Sequence, residues 1–218
     1  MQHLDFALID PHIHQWDPYK TPHAAALAVK LLGKHPKLLD KMVRLVKPKD
    51  LIETIGLTRH ITRPYLPQDY KRDTGPYTVE QVVHVEASWH HSKGKGVVEE
   101  TQFIESLAFG VDTVKLGGIV ATADPRDRNF KKILKLHHKA SPHFRGIRKM
   151  ASFHEDKAIH AWADEPQLYR NKKFLKGFEV LSQYNLSFDA WVYSTQLEDV
   201  IYLAKQFPET SIVLDHLG

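Results

Sequence analysis

The chain has 218 residues, 42% of them hydrophobic and 26% charged, with a formal net charge of +4. That balance supplies a buried core and excludes a disordered polyelectrolyte, a collagen-like repeat and a disulfide scaffold. Cysteine is absent, which removes disulfides, a thiol nucleophile and thiolate metal ligands, and fits a reducing, cytoplasmic setting.

Residues 1–10 show no basic segment followed by an apolar run, so no leader is expected. No apolar run reaches the roughly 20 residues a bilayer requires, so no membrane partner is expected. The sequence pI is about 9.1. The Lys and Arg residues are nevertheless spread along predicted helices, the pattern of a solvated surface, and no nucleic-acid partner is expected. Fifteen histidines are the less ordinary feature, since imidazole serves both metal and proton chemistry.

Taken in chain order, short apolar runs alternate with helical periodicity. The first predicted strand is 6–9. Segment 22–72 then interrupts the alternation. Within it Leu38, Leu39, Met42, Leu45 and Val46 form an apolar stripe, with Lys37, Lys41, Arg44 and Lys47 largely off it. This spacing predicts a helix packed by one face and solvated by the other; a lid or interface element after the first strand is the alternative. The second strand, 79–87, holds the β-branched Val82, Val83 and Val85. Helix 99–109 follows, then strand 113–120 with Gly117 and Gly118. Helix 130–140 places Phe130, Ile133, Leu134 and His137 on one face. Strand 144–150, helix 171–183, strand 186–192, helix 195–207 and strand 211–214 complete the order. Strand and helix in alternation predict a parallel β/α architecture, here a single domain 1–218.

The run Asp10-Pro11-His12-Ile13-His14-Gln15-Trp16-Asp17 directly follows the first predicted strand. In extended backbone, residues two apart project to one side, so His12 and His14 form a pair able to hold a divalent ion or polarise a carbonyl. Asp215 and His216 follow the sixth strand, where parallel β/α enzymes carry their chemistry, so His216 is a candidate to join them. His84 and Glu86 share a face at the end of the second strand. Arg145 and Arg148 lie on the fourth; a buried Arg requires an anionic ligand or a carboxylate partner such as Glu86. Asp189 and Trp191 alternate to one face of the fifth strand, with Asp189 open as ligand, base or supporting group. Gln196 reads as a neighbour of a helix cap. Gly-x-Ser-x-Gly and P-loop motifs are absent, and Gly94-Lys95-Gly96 lacks the context of a dinucleotide fingerprint. The adjacent pairs His90-His91 and His137-His138 read as surface or packing residues.

The opening run 9–18 resembles that of amidohydrolase-related (amidohydrolase 2) proteins, most of all the sugar-lactone and dicarboxylate-lactone hydrolases. Val85-Glu86-Ala87, Phe144-Arg145-Gly146-Ile147-Arg148, Phe188-Asp189-Ala190-Trp191 and Leu214-Asp215-His216-Leu217-Gly218 follow in that family's order. The resemblance covers nearly the whole chain outside 22–72. It implies an α/β fold, a TIM (β/α)8 barrel of the metal-dependent hydrolase type. It also implies a hydrolase that opens a lactone ring by water attack on a polarised carbonyl. His12, His14 and His216 would be the catalytic residues and the ligands of any metal. Arg148, with Arg145, Glu86, Asp189 and Trp191, would bind the small-molecule substrate. Family members either keep one divalent ion such as zinc or work with none. The family's general base is an Asp at the end of an eighth strand, whereas six strands are predicted here. The chain is therefore expected to be an incomplete, C-terminally truncated barrel of about six β/α units, with an open sheet edge suited to an oligomer. A metal-dependent decarboxylase of the same fold, or an inactive fragment acting as an interaction module, are the alternatives.

Overall fold

A computed structural model describes residues 6–22, 26–47, 49–87, 89–90 and 94–218. Residues 1–5, read above for a leader, lie outside the described residues, as do His91 of the His90-His91 pair and residues 23–25 and 48 of segment 22–72. Among the described residues no helix is long and apolar enough to cross a membrane. The chain divides into two compact units, Met1–His91 with Ser106–Gly117, and Ser92–Glu105 with Gly118–Gly218.

In the first unit, β1 (Leu8–Ile13) pairs in parallel with β2 (Val79–Val85), Asp10 opposite Val82 and Ile13 opposite His84. The register shifts between Asp10 and Ile13. That interval contains Pro11, which has no amide hydrogen to give the ladder. The strand therefore runs further than the predicted 6–9 and takes in His12 itself. Among the described residues the stretch between the strands holds the helices α1 (Ala26–Leu32), α2 (Pro36–Val46), α3 (Lys49–Ile55) and α4 (Pro67–Asp73). Ile13, Tyr70, Val82 and Val114 form a buried cluster, with Tyr65, Val79 and Phe109 against it.

The α2 stripe departs from expectation. Leu39 is buried, but Leu38, Met42, Leu45 and Val46 are exposed. The helix is held instead through its Leu39–Asp40 edge. Asp40 accepts the Thr58 hydroxyl and pairs with Arg44 at 2.9 Å, tying α2 to the turn Thr58–His60.

Strand β3 (Lys115–Thr122) is common to both units. Its first residues lie beside β2, with Lys115 pairing with Glu80 at 3.6 Å. The rest pairs in parallel with β4 (Phe144–Met150), Thr122 opposite Arg148. In the second unit β4 pairs with β5 (Ser187–Trp191), Arg148 opposite Asp189, and β5 with β6 (Ile212–Leu214), Ala190 opposite Leu214. All of these pairings are parallel. The intervening helices are α5 (Val98–Glu105), α6 (Phe130–Ala140), α7 (Lys172–Ser182) and α8 (Leu197–Gln206).

Helix α7 shows how the layers are fixed. Its N-cap, Asn171, accepts the amides of Lys173 and Phe174 at 2.8 and 3.2 Å. Phe174 and Phe178 then meet Phe188 of β5, ring centroids 5.9 and 5.0 Å apart, with Tyr169 completing the cluster. On the same helix a Cβ at Gly177 would stand 1.9 Å from the Pro125 carbonyl oxygen, so only glycine permits this approach. On α6 the His137 ring is buried, stacks on Phe144 at 5.0 Å and bonds the Thr101 hydroxyl at 2.8 Å. His137 and His138 are thus packing residues, as the sequence indicates, both against Phe144.

Candidate functional site

Chemistry-bearing side chains gather at the C-terminal ends of strands in each unit. In the first, Asp10 of β1 accepts the His12 amide at 3.1 Å through one carboxylate oxygen and the Tyr70 hydroxyl at 2.8 Å through the other. Asp10 therefore fixes the backbone that carries the histidines. Burial, then the bond to Asp10, push the Tyr70 phenol above its ordinary value, so it remains a donor. The His12 and His14 rings stand edge to face at 4.9 Å. Nδ1 of His14 lies 2.8 Å from the Val85 carbonyl. A carbonyl only accepts, so Nδ1 carries the proton and Nε2 the lone pair, the tautomer a metal ligand or carbonyl-polarising imidazole requires.

His84 is fully buried, and its Nδ1 accepts the Gln15 amide at 3.2 Å. Glu86 is buried one strand position beyond Val85. The Gln15 carboxamide is buried too, and among the described residues neither of its polar atoms has a hydrogen-bond partner. The chain after His14 is pinned to the helical segment: Trp16 and Tyr65 exchange backbone bonds of 3.1 and 2.9 Å, and the Trp16 indole donates to Arg63.

In the second unit Arg148 of β4 is buried and donates from Nη1 to Asp215 at 3.2 Å. This meets the requirement for a carboxylate partner, with Asp215 as that partner. The Arg148 guanidinium lies 5.0 Å from the Trp191 ring centroid, and the His216 ring meets the same indole edge to face at 5.3 Å. His216 adopts a left-handed conformation (φ 56°) just past β6, a turn a non-glycine residue takes only under constraint. Asp189 is buried beside Arg148 on the next strand, and its Oδ1 has no hydrogen-bond partner among the described residues. Burial first, and the Asp215 carboxylate second, push the Asp189 carboxyl up to about 7, against a smaller opposing pull from Arg148.

Arg145 stands apart from this group. It sits at the start of β4, exposed, and its guanidinium donates to the Pro142 and Phe144 carbonyls. Gln196 is more than a cap neighbour. Its Oε1 accepts the Phe153 and Tyr193 amides at 2.8 and 3.3 Å, and its Nε2 donates to the Ala151 carbonyl at 2.9 Å, stitching the chain after β4 to the chain after β5.

A cavity of about 590 Å³ in the second unit is lined by Asp124, Arg126, Lys149, Asp164 and Glu165 among others. Arg126 pairs there with Asp124, Asp164 and Glu165, and Lys149 with Asp124, so the charges are committed to one another. Sequence reasoning passed over Asp215 as the partner of Arg148 and Tyr70 as the brace of Asp10. The first was signalled by its strand-end position. The second had no local signal, since Tyr70 lies within the helical insertion.

Parallel strands alternating with helices define an α/β protein, and its fold matches that of solved amidohydrolase structures. An amidohydrolase from Burkholderia multivorans with bound HEPES superposes with a TM-score of 0.62 at 20% identity, over 98% of this chain and 58% of that one. A crystal form of an amidohydrolase from the same organism with bound zinc gives 0.63 at 19% identity, with the same coverage. Amidohydrolase 2 from Bifidobacterium longum subsp. infantis gives 0.56 at 17% identity, over 97% of this chain and 62% of that one. By sequence, the protein y4mH of Sinorhizobium fredii is 31% identical over 217 residues, 98% of this chain and 63% of that protein. The chain thus spans about three-fifths of the length of these relatives. No protein-family model matches it.

Proposed function

We propose that the chain belongs to a hydrolase of the amidohydrolase-related family, one that opens the lactone ring of a sugar acid or carboxylated lactone. The observation that carries this reading is the histidine pair of β1, in which the Val85 carbonyl sets the His14 tautomer so that Nε2 offers its lone pair. The positions of Arg148 and Asp189 on β4 and β5, that of His216 just past β6, and the fold shared with solved amidohydrolases support it. In this reading His12 and His14 polarise the lactone carbonyl, and His216 is the third histidine that the family resemblance implies. Asp10 and Tyr70 hold the histidine backbone in place. Arg148, oriented by Asp215 and seated on Trp191, positions the hydroxyl-rich ring or its carboxylate. The two imidazoles of β1, one with its tautomer set by a carbonyl, are donors of the kind that would hold a divalent ion such as zinc. When bound, the ion supplies Lewis-acid polarisation of the carbonyl. The zinc-bound Burkholderia amidohydrolase supports that assignment. The partner required is a small molecule, and a cytoplasmic location agrees with the cysteine-free composition.

The test is hydrolysis of a panel of sugar-acid and dicarboxylate lactones by the 218-residue chain, followed by pH indicator. The His12→Ala/His14→Ala double variant is expected to lose at least about a hundredfold in kcat/KM, the scale of removing groups that stabilise the reacting carbonyl. Activity unchanged in the double variant overturns the assignment. Loss on chelation with recovery on added zinc identifies the metal-using form.

A further inference from the structure

The second unit buries one guanidinium and two carboxyl groups side by side: Arg148 on β4, Asp189 opposite it on β5, and Asp215 past β6. Arg148 is already compensated by Asp215, to which it donates at 3.2 Å. A second ionised carboxyl would leave this face with net negative charge, and the face would repel the carboxylate of a sugar acid. Asp189 also keeps Oδ1 buried without a partner among the described residues, an arrangement that costs free energy unless something else satisfies that atom. Trp191, on the same face of β5 and in contact with Arg148 and His216, supplies a flat apolar surface alongside.

We propose that Asp189 is a specificity-determining residue: its carboxyl group donates a hydrogen bond to the substrate, so that the Arg148–Trp191 face accepts a hydroxy-acid or its lactone. This rests on the sugar-acid reading given above and deepens it. The charged and titratable groups around Asp189 agree. Arg148 faces it from β4 and Asp215 from β6. From the turn Leu168–Arg170, the Tyr169 hydroxyl is committed to the Lys149 carbonyl. Burial and the Asp215 carboxylate hold the proton on Asp189 up to about pH 7. Substrate binding therefore weakens as the pH rises through that value, because the donor becomes an anion.

The experiment is calorimetric titration of the 218-residue chain with sodium gluconate at pH 6.0 and pH 8.5, for the wild type, Asp189→Asn and Asp189→Ala, with circular dichroism confirming the fold of each. Gluconate stays ionised throughout, so the protein supplies the pH dependence. The wild type is expected to bind about thirtyfold more weakly at pH 8.5, the ratio of neutral carboxyl at the two values. Asn keeps a donor and loses the charge, so Asp189→Asn is expected to bind alike at both pH values, near the wild-type affinity at pH 6.0. Asp189→Ala is expected to bind weakly at both. Gluconate binding that falls equally with pH in the wild type and Asp189→Asn overturns the inference alone, as does binding indifferent to pH in both. No binding by any form at either pH overturns the sugar-acid reading and this inference with it.

Discussion

Asp189 makes a stability claim as well as a binding one. Its folded-state value is raised from 3.8 to about 7, so its favourable contribution is complete below pH 4 and is lost as the pH rises towards 7. Asp189→Asn suffers no such loss. It is expected to be more stable than the wild type by about 2–4 kcal/mol at pH 8, with the gain vanishing near pH 4. Denaturant unfolding at the two pH values measures this, and a difference that does not shrink on acidification contradicts it. Several positions of the candidate site were legible residue by residue. His12 and His14 follow from alternation at a strand end, and Asp189 and Trp191 from the same rule on β5. Arg145 could have been set aside by that rule, since it lies three residues from Arg148 and alternation sends the two to opposite faces. The Arg148–Asp215 pair was legible only in part: the place of Asp215 after the sixth strand marks it, but the pairing depends on the register of three strands that only folding brings together.

At the scale of elements, strand β4 and helix α6 coincide with their sequence bounds because the apolar pattern changes period sharply at each end. Strand β1 reaches beyond its apolar run because Asp10 and Pro11, polar and without an amide hydrogen respectively, are absorbed into the ladder with a register shift. The helix 195–207 opens with a 3-10 turn, Ser194–Gln196, before α8 proper. Helix α7 supplies a prediction. Gly177→Ala would ordinarily favour a helix by up to about 1 kcal/mol. Here the new methyl collides with the Pro125 carbonyl, and backbone cannot rotate away as a side chain can. The variant is expected to lose about 1–3 kcal/mol, the usual cost of overpacking. Thermal unfolding of Gly177→Ala against the wild type checks this, and an unchanged or raised Tm counts against the packing described.

For the whole molecule, the strand–helix alternation was enough to give the parallel α/β class, since each strand carries its own periodic signature. The division into two units was not legible, because β3 runs through both without a break in composition. Among the described residues the largest fully buried side chains, including Tyr169, Phe144, Phe174, Phe178, Phe188, Leu134 and Leu203, all lie in the second unit. Native-state hydrogen exchange is therefore expected to show slower amides in β4, β5 and α7 than in β1 and α2, the first unit opening at lower free energy. Uniform protection across both units would contradict that ordering.

The Gln196 carboxamide bonds backbone atoms, the Phe153 and Tyr193 amides and the Ala151 carbonyl. A brace of this kind is blind to side-chain identity. Residues 151–153 can therefore drift through mutation without unseating the loop, provided their main-chain path is kept. Selection for a new substrate has raw material there at little cost to folding. The same amide would forbid insertions at that point, so variation across descendants of this protein should come as substitutions in this loop and seldom as changes in its length.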